Sequence, residues 1–535
     1  MTSRCSQCGA LTFSKEDPLD PTLPVATPWT IVRCQRLLKS NEPPDSAELA
    51  YMQPLVSKVA ARLECIDDEM SRLRDRLEQL NTEQTELAEY HALHAPIVSP
   101  LRRMPPEVLM EIFLWTLPLG QDERDGYVSA LKQSPWVLTQ VSSRWRTISI
   151  STPSLWSRVS VDYSEGFGQP LRMVWTQVDR AGTRMLDVYF AGSAKRNHGA
   201  QVEMFQFLSL HSARWEVFEI ENLTTNLVPH LAALRGRLPS LSNLCVTWDA
   251  RIDDHQVGEH AFDCFQTAYR LVDVTLGDFL PVPLAAHQLT AYAVDCPWEM
   301  HHSVLKLASN LVEARVTVSS DDTDWPEASP DQVIDLPQLQ RLYVSSQEVL
   351  RYLQAPILSE IGFIVAEDEE LAGLDAFLVR CSCKPQQLLL EGLLDAEMTK
   401  KILEKHTFLN RILLVFTSRD IRNFDDNILA SSIGAHLSML ARGIAPQLKD
   451  ISLGTEARFG VDYPLFARML RARRGPGSVL GAAAFVTIQG PSPDPLTLAE
   501  LDALAKDGLS LVLQSRKDAE RSINAWSYAT RPMYR

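Results

Sequence analysis

The sequence lacks the features that mark exported or membrane proteins. Its 535 residues include only nine cysteines, an odd number that is typical of free thiols and not of a disulfide framework. The amino-terminal residues contain no apolar stretch of the kind found in secretory signals. No apolar run approaches the roughly 18–20 residues that a membrane span needs. These absences predict a cytoplasmic or nuclear protein that makes no contact with membranes.

Positive charge is scarce. The chain has 52 Lys and Arg residues against 67 Asp and Glu residues, which gives a formal net charge of −15. An acidic chain repels phosphate, so we expect no nucleic-acid partner. The exception is an arginine-rich stretch, which we interpret as a solvated helix end: Arg468, Arg471, Arg473 and Arg474.

Catalytic and metal-binding motifs are lacking too. The sequence has no Gly-x-x-x-x-Gly-Lys phosphate loop, no Gly-x-Ser-x-Gly elbow and no His-Glu-x-x-His zinc motif. Cys5 and Cys8 have the spacing of half a zinc site, but the next cysteines, Cys34 and Cys65, are isolated and a tetrahedral site needs four ligands. We therefore expect no catalytic residues, no cofactor and no bound metal. A hydrolase with unrecognised catalytic residues is the weakest of the alternatives.

The chain begins with a proline-rich segment. Four prolines interrupt any periodicity within residues 1–45: Pro18, Pro21, Pro24 and Pro28. This composition predicts a flexible tail.

Residues 46–95 carry the clearest periodic pattern. From Met52 to Leu87, residues at alternating steps of four and three form a heptad seam that is apolar except at Gln84. The pattern predicts a coiled coil or a long helix, which we expect to stop at Pro96. Asp45 and Glu48 have the spacing of a capping box at its start. Residues 52–87 would either mediate self-association or pack back on their own chain.

A different pattern extends over residues 183–515. A six-residue unit recurs eight times, with a triad of apolar residues at its first, fourth and sixth positions. The last three positions of each unit alternate apolar, other, apolar, as in a strand with one buried face. The triads are Trp215, Phe218, Ile220; Leu241, Leu244, Val246; Leu271, Val274, Leu276; Leu289, Tyr292, Val294; Leu339, Leu342, Val344; Leu358, Ile361, Phe363; Leu409, Ile412, Leu414; and Leu448, Ile451, Leu453.

Strands that alternate with amphipathic stretches at this period resemble a leucine-rich-repeat horseshoe. The predicted fold class is α+β: a long helix, a small helical domain and an irregular α/β leucine-rich-repeat-like solenoid, followed by a tail over residues 516–535. A doubly wound α/β domain is the structural alternative.

The small helical domain is predicted over residues 97–160. It opens with Met104-Pro105-Pro106-Glu107, and the prolines suit the first turn of a helix. After a polar stretch at 118–133, a second apolar helix leads through Val141-Ser142-Ser143-Arg144-Trp145 to Leu155-Trp156. This arrangement resembles the F-box family, in which a Leu-Pro-x-Glu opening precedes an apolar-Cys-x-x-Trp element. Met104 and Ser142 depart from that pattern. The order of heptad helix, F-box-like segment and irregular repeats is similar to F-box-like families of mushroom-forming fungi.

The resemblance implies a substrate-recognition subunit of a ubiquitin ligase. Such a subunit binds a Skp-family adaptor of a cullin-RING complex and holds a protein target with its carboxy-terminal domain. Apolar residues of the two helices would contact the adaptor: Leu101, Pro105, Val108, Leu109, Ile112, Phe113, Leu138 and Val141. Internal packing is the competing interpretation for each of them, and Trp145 and Trp156 are expected to form the segment's own core. The alternative function is a homo-oligomeric interaction scaffold with a degenerate F-box.

Overall fold

A computed structural model describes most of the chain. The described residues are 2–4, 11–13, 28–117, 134–163, 170–193, 198–248, 262–277, 282–318, 325, 332–365, 372–417, 426–457, 461–475, 479–490 and 492–526. The chain divides into two compact units, Met1–Met104 and Pro105–Arg535. The fold is mixed α/β with a long parallel sheet in the second unit. No helix among the described residues is both long and apolar enough to cross a bilayer.

The first unit is built around one long helix. Its helices are α1 (Pro28–Lys39), α2 (Ser46–Val98) and α3 (Pro100–Arg103), and the strand Thr2–Arg4 pairs antiparallel with Leu11–Phe13. The predicted capping box is confirmed: the Asp45 carboxylate accepts hydrogen bonds from the Ala47 and Glu48 amides, and Glu48 accepts one from the Asp45 amide at 2.9 Å. This cap satisfies amides that the first turn leaves without helical partners.

Two boundaries differ from the sequence-based prediction. Residues 28–39, expected to lie in the flexible tail, form α1, and Arg33 Nε donates to Glu48 Oε1 at 2.7 Å, which ties α1 to α2. The long helix does not stop at Pro96 but continues to Val98. Pro96 thus lies inside the last turn of the helix, and the prediction that it ends the helix is wrong. Cys5 and Cys8 lie outside the described residues.

The second unit contains the sheet. Within the described residues its strands, β1 to β14, are Arg158–Asp162, Leu186–Ala191, Trp215–Leu223, Asn243–Trp248, Asp273–Leu276, Ala291–Asp295, Glu313–Thr317, Arg341–Val344, Glu360–Val365, Gln387–Gly392, Arg411–Phe416, Asp450–Thr455, Ala482–Thr487 and Ser510–Ser515. A separate short pair, Ile334–Asp335 with Leu353–Gln354, is also parallel.

Helices precede, connect and follow the strands. They are α4 (Pro106–Trp115), α5 (Leu138–Val141), α6 (Ser143–Ile150), α7 (Leu171–Arg180), α8 (His198–Ser209), α9 (Val228–Ala232), α10 (Trp298–Leu305), α11 (Ala372–Cys381), α12 (Ala396–Lys405), α13 (Asp426–Ala441), α14 (Tyr463–Arg473), α15 (Pro495–Lys506) and α16 (Arg516–Trp526). Short 3₁₀ turns replace helices in several connections.

The strand order is strictly sequential. Each strand from β1 to β13 pairs in parallel with the next numbered strand, and β1 and β14 are the two edges of the sheet. A doubly wound sheet reverses its strand order at a switch point. The doubly wound alternative is therefore wrong. The sheet also begins at β1, about 25 residues before the predicted start at residue 183.

One face of the sheet packs against the connecting helices. Successive side chains of a strand point to opposite faces, and the in-register residues Leu244, Val274, Tyr292, Ala314 and Leu342 all belong to this face and are buried. All members of the eight predicted triads are buried, at 7% exposure or less. The triad pattern is thus confirmed as the interior of the fold.

The other face, here called the open face, is covered in its second half by α16. Ala519 and Ile523 of α16 pack with Tyr343, Leu389 and other apolar residues of strands β8 to β13. Residues 516–526 were predicted to be part of a tail. This prediction is wrong, because they form a packed helix. The remaining residues of the predicted tail, 527–535, lie outside the described residues.

Candidate docking surface

Helix α4 is the first element of the second unit. Pro106 occupies its first turn, where amide hydrogens have no helical partner, and Glu107 lies near the positive end of the helix dipole. The helix ends at Trp115, and the Thr116 hydroxyl donates to the Phe113 carbonyl at 2.7 Å. Leucine, isoleucine and aromatic side chains occur around most of its circumference. Apolar side chains that extend beyond one side are more than a single packing face of a surface helix requires.

The inner side of α4 anchors it to the rest of the unit. Leu109 and Phe113 are completely buried, and the Phe113 ring lies 4.7 Å from the Trp145 ring, centroid to centroid. Leu138 of α5 is buried as well, at 4% exposure. The helix packs against α6 and the 3₁₀ turn Pro153–Leu155. These three predicted contact residues are therefore core residues, because the segment needs an interior of its own.

The outer side of α4 presents an apolar stripe to solvent. Val108 is 45% exposed, Ile112 is 38% exposed and Trp115 is 82% exposed. Pro105 is exposed just before the helix begins. Residues 105, 108, 112 and 115 follow the spacing of one helical face, so they form a continuous strip. We call this strip, Pro105, Val108, Ile112 and Trp115, the outer stripe.

The next two helices are separated by a single residue, Ser142. Its side chain caps α6 by accepting a hydrogen bond from the Trp145 amide at 3.2 Å. Val141, at the end of α5, is 56% exposed. Serine at this position has a local role, because the hydroxyl satisfies an amide that the first turn of α6 leaves free.

Leu101 belongs to a different unit from the other predicted contact residues. It lies in α3, within the first unit, and is 45% exposed. The seven remaining residues lie in the second unit. The structure therefore does not place Leu101 in the outer stripe.

A second aromatic group attaches the helical segment to the sheet. Trp156 is fully buried, donates from Nε1 to the Ser149 carbonyl at 2.7 Å and meets Trp136 edge-on at 5.0 Å. The guanidinium of Arg180 in α7 lies 4.4 Å from the Trp156 ring centre, within cation–π distance. Trp156 is thus a core residue, as expected.

Trp115 was not among the contact residues predicted from the sequence. It is the most exposed member of the outer stripe, and Glu111 accepts a hydrogen bond from its indole nitrogen at 3.2 Å. The available signal was its spacing of three from Ile112 and seven from Val108. Large aromatic side chains of this kind supply much of the binding energy at protein interfaces.

The first half of the open face has a different character. Strands β1 to β7 lie outside the contact with α16 and carry paired polar side chains. Tyr189 donates to Glu221 at 2.8 Å, and Asn243 donates to Asp273 at 3.3 Å. Burial raises the pKa of the Asp187 carboxyl to about 6, although Arg158 at 3.8 Å acts in the opposite direction. Acidic residues outnumber basic ones on this half, which includes Glu219 and Glu313 as well.

Several side chains of types that are common in catalytic or anion-binding sites have structural roles inside the fold. His436 is buried, with Nε2 3.1 Å from the Thr399 hydroxyl and Nδ1 2.8 Å from the Ser432 carbonyl. Arg473 is only 6% exposed and donates to the Leu440 and Ala445 carbonyls. The expectation that this arginine lies in a solvated helix end is therefore wrong, because the end of α13 and its following loop need the donors. Within the described residues, no group of three or more His, Cys, Asp or Glu side chains could hold a metal ion.

A scan against models of known protein families found no match to this chain, and a search of curated proteins found none either.

Proposed function

We propose that the chain is a substrate-recognition subunit of a cullin-RING ubiquitin ligase that catalyses nothing itself. In this proposal the outer stripe of α4 binds a Skp-family adaptor, and Val141 contributes to the same interface. The observation that carries the proposal is the outer stripe. It begins within the Pro-Pro-Glu opening at residues 105–107, in the segment that resembles F-box proteins.

Burial supports this assignment of roles. α4 keeps Leu109 and Phe113 inside, which holds its backbone in place, and leaves Val108, Ile112 and Trp115 outside. An aromatic anchor flanked by aliphatic side chains on a preformed helix is the composition of an interface centre. A preformed helix also loses little conformational entropy when a partner binds.

The target would be held by the second unit. We interpret its sequential parallel sheet, with helices packed against one face, as an irregular leucine-rich-repeat-like solenoid. Because α16 covers the second half of the open face, the target surface in this proposal is the polar, predominantly acidic half on β1 to β7. Basic segments of other proteins complement that charge.

The adaptor interface is tested by replacing two residues of the outer stripe. Val108→Asp with Ile112→Asp places two carboxylates at the proposed interface while leaving Leu109 and Phe113 in the core. We expect co-purification with a Skp-family adaptor to be lost, with affinity reduced about 100-fold or more. The measurement is co-expression with the adaptor followed by pull-down and calorimetric titration.

A matched control uses exposed aliphatic residues far along the chain. Leu210→Asp with Val379→Asp makes the same type of change at positions that are 71% and 80% exposed. This variant is expected to bind like the original chain. Failure of the unmodified chain to bind any Skp-family adaptor would refute the adaptor role and leave the scaffold alternative.

A further inference from the structure

Helix α2 carries an apolar seam that the described residues of its own unit leave exposed. The helix is 53 residues long, and the aliphatic seam residues are 39% to 62% exposed. They are Val56, Val59, Leu63, Ile66, Met70, Leu73, Leu77, Leu80 and Leu87. The expected alternatives were self-association and packing back on the same chain. Exposure along the whole seam is what self-association requires.

An uncovered seam of this length is unfavourable in a single helix. Most of the stability of helices in proteins comes from packing of an apolar side and not from intrinsic propensity. From Met52 to Leu87 the seam extends about 52 Å at 1.5 Å per residue. A partner that covers it must therefore be a helix of similar length and matching heptad pattern. A second copy of this chain has both.

We propose that two copies of the chain associate through α2 as a parallel, in-register, two-stranded coiled coil over residues 52–87. The inference is independent of adaptor binding, because it concerns only the first unit. In this arrangement each seam residue meets the same residue of the second copy.

Charge complementarity favours the parallel orientation. In the heptad register set by the seam, Glu69 occupies position g and Arg74 position e, five residues later. In a parallel pair, position g faces position e of the next heptad on the other helix. Glu69 of each copy therefore meets Arg74 of the other, which gives two attractive pairs per dimer. The following pairs, Arg76 with Asn81 and Glu83 with Ala88, bring no like charges together.

Gln84 gives a second, independent reason for the parallel register. It occupies a core position a, between Leu80 and Leu87 of the seam. Only in-register parallel pairing places Gln84 against Gln84 of the second copy, where the two amides can bond to each other. In an antiparallel pair over the same residues, Gln84 would lie opposite apolar residues near Val59 and lose its hydrogen-bond partners. A single polar residue at position a sets register and strand number in coiled coils.

The association is tested on the full chain by light scattering coupled to size-exclusion chromatography. The unmodified chain is expected to have twice the mass of one chain. Leu73→Lys with Leu80→Lys places charges in the core and should raise the dissociation constant about 100-fold or more. Ser71→Lys with Thr82→Lys adds the same charge on the outward side of α2 and should leave the dimer intact. A monomeric unmodified chain, a trimer, or equal effects of both variants would overturn the proposal.

The orientation is tested by a charge exchange. Glu69→Arg and Arg74→Glu each bring like charges together in a parallel homodimer and should weaken it. When the two variants are mixed, the parallel heterodimer regains two attractive pairs, so heterodimers should predominate in native mass spectra of the mixture. A mixture that shows no preference for heterodimers would refute the parallel register, whatever the result of adaptor binding.

Discussion

At the scale of single residues, the buried histidine His301 shows how the sheet interior excludes charge. Its Nε2 lies 3.0 Å from the Thr317 carbonyl and its Nδ1 lies 2.9 Å from the Tyr292 hydroxyl. A carbonyl oxygen only accepts, so Nε2 carries the proton and Nδ1 is left as an acceptor. Burial lowers the pKa of His301 to about 4, from an ordinary value near 6.5.

This shift predicts a pH-dependent loss of stability. The folded-state pKa lies below the unfolded one, so between pH 6.5 and 4 the unfolded chain binds more protons. The contribution of neutral His301 to the free energy of unfolding is complete above pH 6.5 and is lost as the pH falls toward 4. From pH 7 to pH 5 the contribution of His301 should fall by about 2 kcal/mol.

The test compares the original chain with His301→Gln by urea unfolding at both pH values. The variant should lack this part of the pH dependence. Asp187, whose pKa is raised, acts with the opposite sign over a similar range, but it is present in both chains and cancels in the comparison. The same change in unfolding free energy between pH 7 and pH 5 for both chains would contradict the prediction.

Residue by residue, the sequence predicts the core better than the surface. The triad positions were identifiable because alternation within a short strand marks one buried face. On α4, in contrast, Val108 and Leu109 are both apolar, and only the position of Trp145 against Phe113 decides which side faces inward. A double substitution that includes Leu109 would thus test folding and not docking.

At the scale of secondary-structure elements, α16 depends on a surface that distant strands create. Gly454 of β12 lies beneath it: a Cβ added there would come within 3.0 Å of Ile523 and 3.1 Å of Trp526. Ala519, Ile523 and Trp526 follow helical spacing, but the rest of the segment is mostly polar. The sequence of this segment therefore resembled a tail, because its apolar partners lie about 30 to about 180 residues earlier in the chain.

Removing one contact should loosen this helix measurably. Ile523→Ala deletes a side chain that is 6% exposed and should lower the free energy of unfolding by about 2–4 kcal/mol. Leu498→Ala, at a site that is 41% exposed on α15, should change it by about 0.5 kcal/mol or less. Urea unfolding of both variants measures the difference. Equal effects would show that α16 is not packed as described.

Strands that sequence reasoning overlooked share a physical cause. In β10, Leu388, Leu389 and Leu390 are all buried, because α16 and its neighbours cover the open face there. A strand buried on both faces shows no alternation. In β13 the run of Ala482, Ala483 and Ala484 replaces the larger side chains that mark a triad. Contacts from outside the strand thus determine these elements.

At the scale of the whole molecule, the division after Met104 predicts separable properties. Residues 105–535 produced alone should be monomeric and keep the far-ultraviolet circular dichroism of a mixed α/β protein, since all fourteen strands belong to that unit. Residues 1–104 should self-associate, because they contain the entire seam. Sedimentation equilibrium on both fragments measures this. A self-associating 105–535 fragment would contradict the assignment of association to α2.

The order of the strands in the sheet can be predicted from the sequence more readily than the position of the boundary between the two units. Each connection returns the chain to the neighbouring position, as expected for repeated strand–helix pairs. The domain predicted at 97–160 combines residues from both units, because Pro96 was expected to end the long helix. Helix α2 continues to Val98 and α3 follows almost at once, so the division falls at Pro105.

Because α16 covers the second half of the open face, the uncovered first half has a definite width across its strands. Neighbouring strands lie about 4.8 Å apart, so the seven strands that α16 leaves aside measure about 29 Å across. An extended polypeptide advances about 3.3–3.6 Å per residue and would cross that distance with roughly eight or nine residues. For the target surface that we propose on β1 to β7, this width matches a short extended segment of a partner protein that crosses the strands.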